Sequence, residues 1–152
     1  MRQNLLLLIC VFLITGCSVP LVASLEKHSN HYVRPDNLDK ALIYVYREGE
    51  LTGSLRGIYS DINGKRVGAL NSGTYFVHEV NPGETIVSLE DRLSKAPKRT
   101  FNAEAGKTYY VKGGVKMGLW DAQPYINLVM AEEGQGAIQQ LTYATMKAKD
   151  LK

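Results

Sequence analysis

Several groups of residues have types and spacing that could do chemistry. Gly106-Lys107-Thr108 matches the end of a phosphate-cradling loop, in which backbone amides and a lysine wrap a nucleotide phosphate. That loop needs a glycine five positions before Gly106, where Phe101 stands, and a helix afterwards, where a strand pattern follows. A β-turn is expected instead. Gly134 and Gly136 resemble the start of a dinucleotide fingerprint, but Gln139 occupies its third glycine position, so they read as a flexible start to a helix.

His28 and His31 could offer two imidazoles to one metal, yet no cysteine or second cluster joins them, and structural zinc takes four ligands. No metal site is expected. His78 lies between Val77 and Glu79 in a strand pattern, with no nucleophilic serine motif to serve as base for, and reads as a half-exposed strand histidine. The carboxylate pairs Glu90-Asp91 and Glu132-Glu133 are adjacent in sequence. Neighbours on a strand point to opposite faces and cannot share a substrate, so both read as solvated element ends. No catalytic residue and no cofactor follow from these groups.

The aromatic residues Tyr109, Tyr110, Trp120 and Tyr125 lie near Gly113, Gly114 and Gly118, which leave room for a bulge or a ligand against the rings. They are the candidate ligand surface, suited to stacking on a sugar or peptide. The chain has nine tyrosines, however, and in a small β domain such rings equally fill core and rim.

The elements that would position these residues begin with a targeting segment. Met1 and Arg2 make a positive start, and Leu5 to Ile14 is an uncharged apolar run. A run of about ten residues suits a secretory signal, since a membrane-spanning helix needs roughly 20. It ends Leu13-Ile14-Thr15-Gly16-Cys17, which resembles the lipobox of bacterial lipoproteins. The resemblance implies cleavage between Gly16 and Cys17, a diacylglyceryl group on the Cys17 thiol and acylation of the freed amine. Two or more acyl chains give lasting attachment at about 0.8 kcal/mol per buried methylene. Cysteine usage fits: Cys10 leaves with the signal, Cys17 is alkylated, and no lone reactive thiol enters a compartment that favours pairing.

Cleavage removes Arg2 and leaves 17 of the 18 basic side chains against 15 acidic ones. The basic residues are scattered without a run of five or six, which disfavours nucleic acid. Ser18 lacks the aspartate that the lipoprotein resemblance associates with inner-membrane retention, so the outer membrane, periplasmic face, is the expected location.

Residues 18–38 lack periodicity and contain Pro20, Pro35 and a polar cluster from Lys27 to His31, the pattern of a tether. Strand patterns then recur at short intervals: Ala41–Tyr46, Leu55–Ile62, Arg66–Leu70, Thr74–Val80, Thr85–Leu89, Thr100–Ala103, Thr108–Val115 and Pro124–Met130. Between them stand Asn63-Gly64, which accepts the positive φ angles of a tight hairpin, then Asn71-Ser72-Gly73, Asn81-Pro82-Gly83 and Ala105-Gly106-Lys107. Residues 91–99 read as a loop. Ala137, Ile138, Leu141, Ala144, Thr145 and Ala148 recur at three and four, which predicts one amphipathic C-terminal helix.

Ala41 to Arg47, Asn63-Gly64-Lys65, Gly73-Thr74-Tyr75-Phe76, Pro82-Gly83 and Ala105 to Val111, in that order, resemble the bacterial family called domain of unknown function 2846. The resemblance covers about residues 39–141. It implies a small β domain of the cell envelope, often lipid-anchored, and transfers no catalytic or binding residue.

These readings combine into a mainly β fold: an antiparallel β-sandwich of about eight short strands with one C-terminal helix. Residues 1–16 are the lipoprotein signal, 17–38 the lipidated N-terminus and tether, and 39–148 the folded domain. The expected function is that of a non-enzymatic binding or structural module. It contacts the membrane through its lipid and meets another envelope protein or a glycan. The alternative is a small-ligand or glycan binder working near Trp120.

Overall fold

The computed structural model describes residues 25–28, 31–34, 38–51, 57–90, 98–118 and 122–151. Its strands are β1 Leu25–Lys27, β2 Ala41–Arg47, β3 Ile58–Ile62, β4 Lys65–Leu70, β5 Thr74–Val80 and β6 Gly83–Glu90. They continue with β7 Arg99–Ala103, β8 Thr108–Met117 and β9 Ala122–Val129, then helix α1 Ala131–Ile138 and strand β10 Thr142–Met146.

The run Ala41–Arg47 is apolar at nearly every position because β2 lies inside a sheet covered on both faces, and six of its seven residues are buried. That sheet has six strands in the order β1-β10-β5-β2-β8-β9, and a second sheet has the order β4-β3-β6-β7. Alternate residues of the two sheets meet between them. Ile43, Val45, Phe76, Val111, Val115 and Ile126 come from the larger sheet, and Ile58, Ile62, Leu70, Val87 and Leu89 from the smaller, all at most 3% exposed. Each such side chain contributes about 1.5–3 kcal/mol by leaving water, which makes this interlayer core the main source of stability.

The turns follow their residues. Asn63 and Gly64 take φ of 51° and 77°, the mirror-image turn that suits the twist of a two-residue hairpin. The same asparagine ties the turn to the next strand: its Oδ1 accepts from the Ile86 N–H at 2.9 Å, and its own N–H donates to the Ile86 carbonyl at 2.9 Å.

The expected mainly β sandwich with a helix near the C-terminus is what the chain adopts, with three corrections. First, the helix lies earlier than its predicted span of 137–148, and Thr142–Met146 is a strand. Ala144 and Met146 are buried and alternate with half-buried Tyr143 and Thr145, so the same apolar residues fit a period of two. What decides between the periods is the free edge of β5, onto which β10 pairs with Thr142 beside Thr74 and Tyr143 beside Tyr75. Second, this pairing and that of β2 with β8 are parallel, so the larger sheet is mixed. Third, the presumed tether is partly structured. Leu25–Lys27 pairs antiparallel with β10, and the following residues cross the outer face of the larger sheet. There the Tyr32 N–H donates to the Tyr75 hydroxyl at 3.3 Å. Arg34 then donates to the Gly106 carbonyl at 2.6 Å and the Thr108 hydroxyl at 3.0 Å. Residues 25–28 and 31–34 thus form a strap against the larger sheet.

Candidate functional site

Cys17 and Gly16, the lipidation and cleavage residues, lie outside the described residues, as does Trp120. The other three members of the predicted aromatic surface are described, and the fold separates them. Tyr109 and Tyr110 are neighbours on β8 and face opposite sides of the sheet. Tyr109 turns towards the interlayer core, its ring 4.8 Å from that of Phe101. Its hydroxyl donates to the Asn102 carbonyl at 3.2 Å and accepts from the Glu104 N–H at 3.0 Å. Tyr110 is 5% exposed beneath α1. Tyr125 packs against Gly114 and donates to Glu50 Oε1 at 3.0 Å. The three rings do not form one open platform.

The remaining chemical candidates resolve individually. Gly106 stands in a turn with φ of 74° and Lys107 pairs with Glu104 at 2.8 Å, followed by β8, so the segment is the expected β-turn. His28 lies against Tyr143, its Nε2 3.0 Å from the Thr145 hydroxyl, while His31 faces Tyr75. Among the described residues no three His, Cys, Asp or Glu side chains converge with metal-binding geometry. His78 is half-buried in β5; burial, helped by the nearby Lys65 charge, lowers its pKa and favours the neutral ring. Glu90 pairs with Arg66, which also bonds Asp61 at 3.0 Å, and Asp91 is outside the described residues.

Two features of the outer face of the larger sheet were not legible from sequence spacing. The first is a row of tyrosines across four adjacent strands. Register places Tyr44 beside Tyr110 and Tyr143 beside Tyr75. The Tyr44 ring stacks 5.2 Å from Tyr110 and 6.1 Å from Tyr75, and Tyr75 lies 5.4 Å from Tyr143. Cross-strand aromatic pairs of this kind each contribute about 0.2–1 kcal/mol. Burial, reinforced by Tyr110, pushes the Tyr44 hydroxyl up to about 12. Tyr32 from the strap closes over the row, its ring edge-on to Tyr44 at 6.2 Å.

The second feature is a cleft of about 680 Å³ between α1 and the ends of β2 and β5, lined by Glu48, Gly73, Glu132, Glu133, Ala137 and Leu141 among others. Glu132 and Glu133 read as opposed strand neighbours in the sequence, but they occupy the first turn of a helix, where adjacent side chains are about 100° apart and both reach the cleft. They also complement the positive end of the helix dipole. Glu48 arrives two residues beyond Tyr46 on the same face of the β2 line. Lys112, opposite Tyr46 on β8, places its Nζ 2.8 Å from Glu48 and 3.8 Å from Glu133.

Helix α1 approaches the sheet closely because residue 134 is glycine: a Cβ there would meet Tyr110 Cγ at 2.2 Å. Gly134 and Gly136 therefore lie inside the helix, not before it. Under the helix, Tyr46 is 0% exposed and its hydroxyl has no hydrogen-bond partner among the described residues. Burial, followed by the negative charges of Glu133 and Glu48, pushes it up to about 12. A buried polar group left unpaired costs about 1–3 kcal/mol, so this hydroxyl is an unexplained expense beneath the helix.

The class defined by this architecture is a small two-sheet β domain with a helix laid over the tyrosine face of its larger sheet. The model of a protein family of unknown function, DUF2846, matches residues 37–124, and the chain belongs to that family. It is also similar to an uncharacterized protein of Haemophilus influenzae, 25% identical over 134 residues that cover 87% of this chain and 78% of that protein.

Proposed function

We propose that this chain is a lipid-anchored lipoprotein of the bacterial cell envelope, held on the periplasmic face of the outer membrane, whose domain works by binding and not by catalysis. The observation that carries the reading is the uncharged run ending in Leu13-Ile14-Thr15-Gly16-Cys17. The strap adds a geometric consequence. Cys17 stands eight residues before Leu25, where β1 begins, and eight residues span at most about 28 Å when fully extended. Lipid on Cys17 would therefore hold the β1–β10 edge close to the bilayer surface. No described helix is long and apolar enough to cross a membrane.

The test is metabolic labelling with palmitate in cells expressing the wild-type chain and Cys17→Ala. The wild type should take up label and fractionate with membranes, and the variant should do neither. Labelling that persists in Cys17→Ala would refute the assignment.

A second reading, a small-ligand binder, is favoured by the cleft beside α1. Its volume lies within the roughly 300–1,000 Å³ of ordinary ligand sites, and it combines an apolar wall with converging charged groups. In this form the ligand surface moves from the predicted aromatic set to the helix and the strand ends. A glycan pull-down with Trp120→Ala as control distinguishes it from recognition through Trp120.

A further inference from the structure

The edges of the two sheets are not equally protected. An edge strand carries a row of unpaired N–H and C=O groups that any extended chain can join, and proteins blunt it by shortness, charge, proline or a covering segment. β1 has three residues, two of them Glu26 and Lys27. β4 opens with Lys65 and Arg66, and Met146 of β10 packs against its Ala69. β7 has five residues and opens with Arg99. Of these devices β9 has Pro124 alone: it is eight residues long, Ala122–Val129, carries no charged side chain, and among the described residues is paired by β8 on one side and by no strand on the other.

Exposure along β9 follows from its place at the edge. Leu128 stands opposite Val111 in register and so shares the interlayer face with Val111 and Ile126, yet it is 43% exposed where those two are at most 1% exposed. The larger sheet ends at β9, and the interlayer core ends with it. Asn127, on the other face, is exposed as well. Pro124 has no N–H to offer, which confines further pairing to Tyr125–Val129. The N-terminal strap joins the sheet at β1, the opposite edge, so it does not occupy this one.

We infer that β9 pairs antiparallel with β9 of a second copy of this chain, through Tyr125–Val129 and across a twofold axis at Asn127. The occupant that this edge fits is an extended, uncharged segment with apolar side chains on the interlayer face, and β9 is itself such a segment, with Ile126 and Leu128 on that face. A twofold contact requires this kind of self-matching surface, because the same patch serves both copies. The pairing joins the two larger sheets edge to edge and lays Leu128 of each copy beside Ile126 of the other, where it leaves water. Arg99 bonds Asn127 Oδ1 at 3.4 Å from the exposed rim, where salt screens the repulsion between its two copies.

The test is analytical ultracentrifugation and amide exchange of the full chain in detergent micelles over a range of protein concentrations. The wild type should pass from monomer to dimer as concentration rises. Within Tyr125–Val129, the amides that point away from β8 should exchange about tenfold or more slowly in the dimer than in the monomer, while Ile43 in the core should not change. Leu128→Lys and Asn127→Lys each add the kind of charge that the other edges carry. Both should keep the wild-type circular dichroism spectrum and stay monomeric at concentrations where the wild type is dimeric. A wild type that remains monomeric throughout would overturn the inference. So would a dimer whose formation leaves the β9 amides unchanged, or one that both lysine variants still form.

Discussion

Replacing Tyr46 by Phe should stabilise the protein, against the usual direction of core substitutions. The hydroxyl is buried without a partner among the described residues, while the ring belongs to a buried cluster with Tyr75 and Tyr110, against which Ala137 of the helix and Leu141 beyond it pack. Phenylalanine keeps that packing and removes only the oxygen. Recovering the low end of an unpaired-group penalty of about 1–3 kcal/mol gives about 1 kcal/mol. For a domain of this size, 1 kcal/mol corresponds to a rise in Tm of roughly 3–5 °C. The measurement is thermal unfolding followed by circular dichroism, repeated in urea to obtain the free energy directly. The alkaline limb offers a second readout. A phenol pushed up to about 12 when folded, against about 10 when unfolded, contributes in full below pH 10, and that contribution is lost as pH rises through 12. Tyr46→Phe should therefore resist alkaline unfolding between pH 10 and 12 better than wild type. A lower Tm, or equal alkaline sensitivity, would refute the claim that this hydroxyl is an unpaired, desolvated group.

Three further outcomes follow from the packing. Gly134→Ala puts a methyl where Tyr110 stands, so despite the better helix propensity of alanine it should cost about 1–3 kcal/mol in urea unfolding and loosen α1. Ile43→Ala removes a fully buried side chain from the interlayer core and should cost about 2–5 kcal/mol, read from the same transition. Arg34→Ala removes the hydrogen bonds that fasten the strap at Gly106 and Thr108. Amide exchange at His28 and Tyr32 should then quicken by about tenfold or more, since charge-assisted hydrogen bonds contribute about 1.5–3 kcal/mol, while Ile43 and Val111 in the core should not change.

Local chemistry made much of the fold legible. Asn63-Gly64 sets a hairpin turn and Gly73 the turn that carries the chain from β4 to β5 in the other sheet, both with the positive φ angles the structure adopts, and Thr74–Val80 and Ala41–Arg47 carry β-branched and aromatic residues over strand lengths. The C-terminal segment misled because its apolar positions satisfy both a helical and an alternating period, and the arbiter, the open edge of β5, is distant in sequence. Likewise the tether reading rested on polarity and prolines, whereas β1 forms only because β10 offers it an edge. The cleft was hidden for a related reason: Glu48 and Glu133 meet through the placement of α1, and that placement depends on the missing side chain at Gly134. A glycine inside an otherwise helical, acidic stretch was the one local signal of a close approach.

The claim on which the account depends is that Cys17 becomes the lipidated first residue, and intact-mass and N-terminal peptide spectrometry of the protein purified from its native host tests it most directly. The mature chain should begin at Cys17, and that residue should carry the mass of a diacylglyceryl group plus an amide-linked acyl chain. A mature chain beginning elsewhere, or a Cys17 without acyl mass, would contradict it.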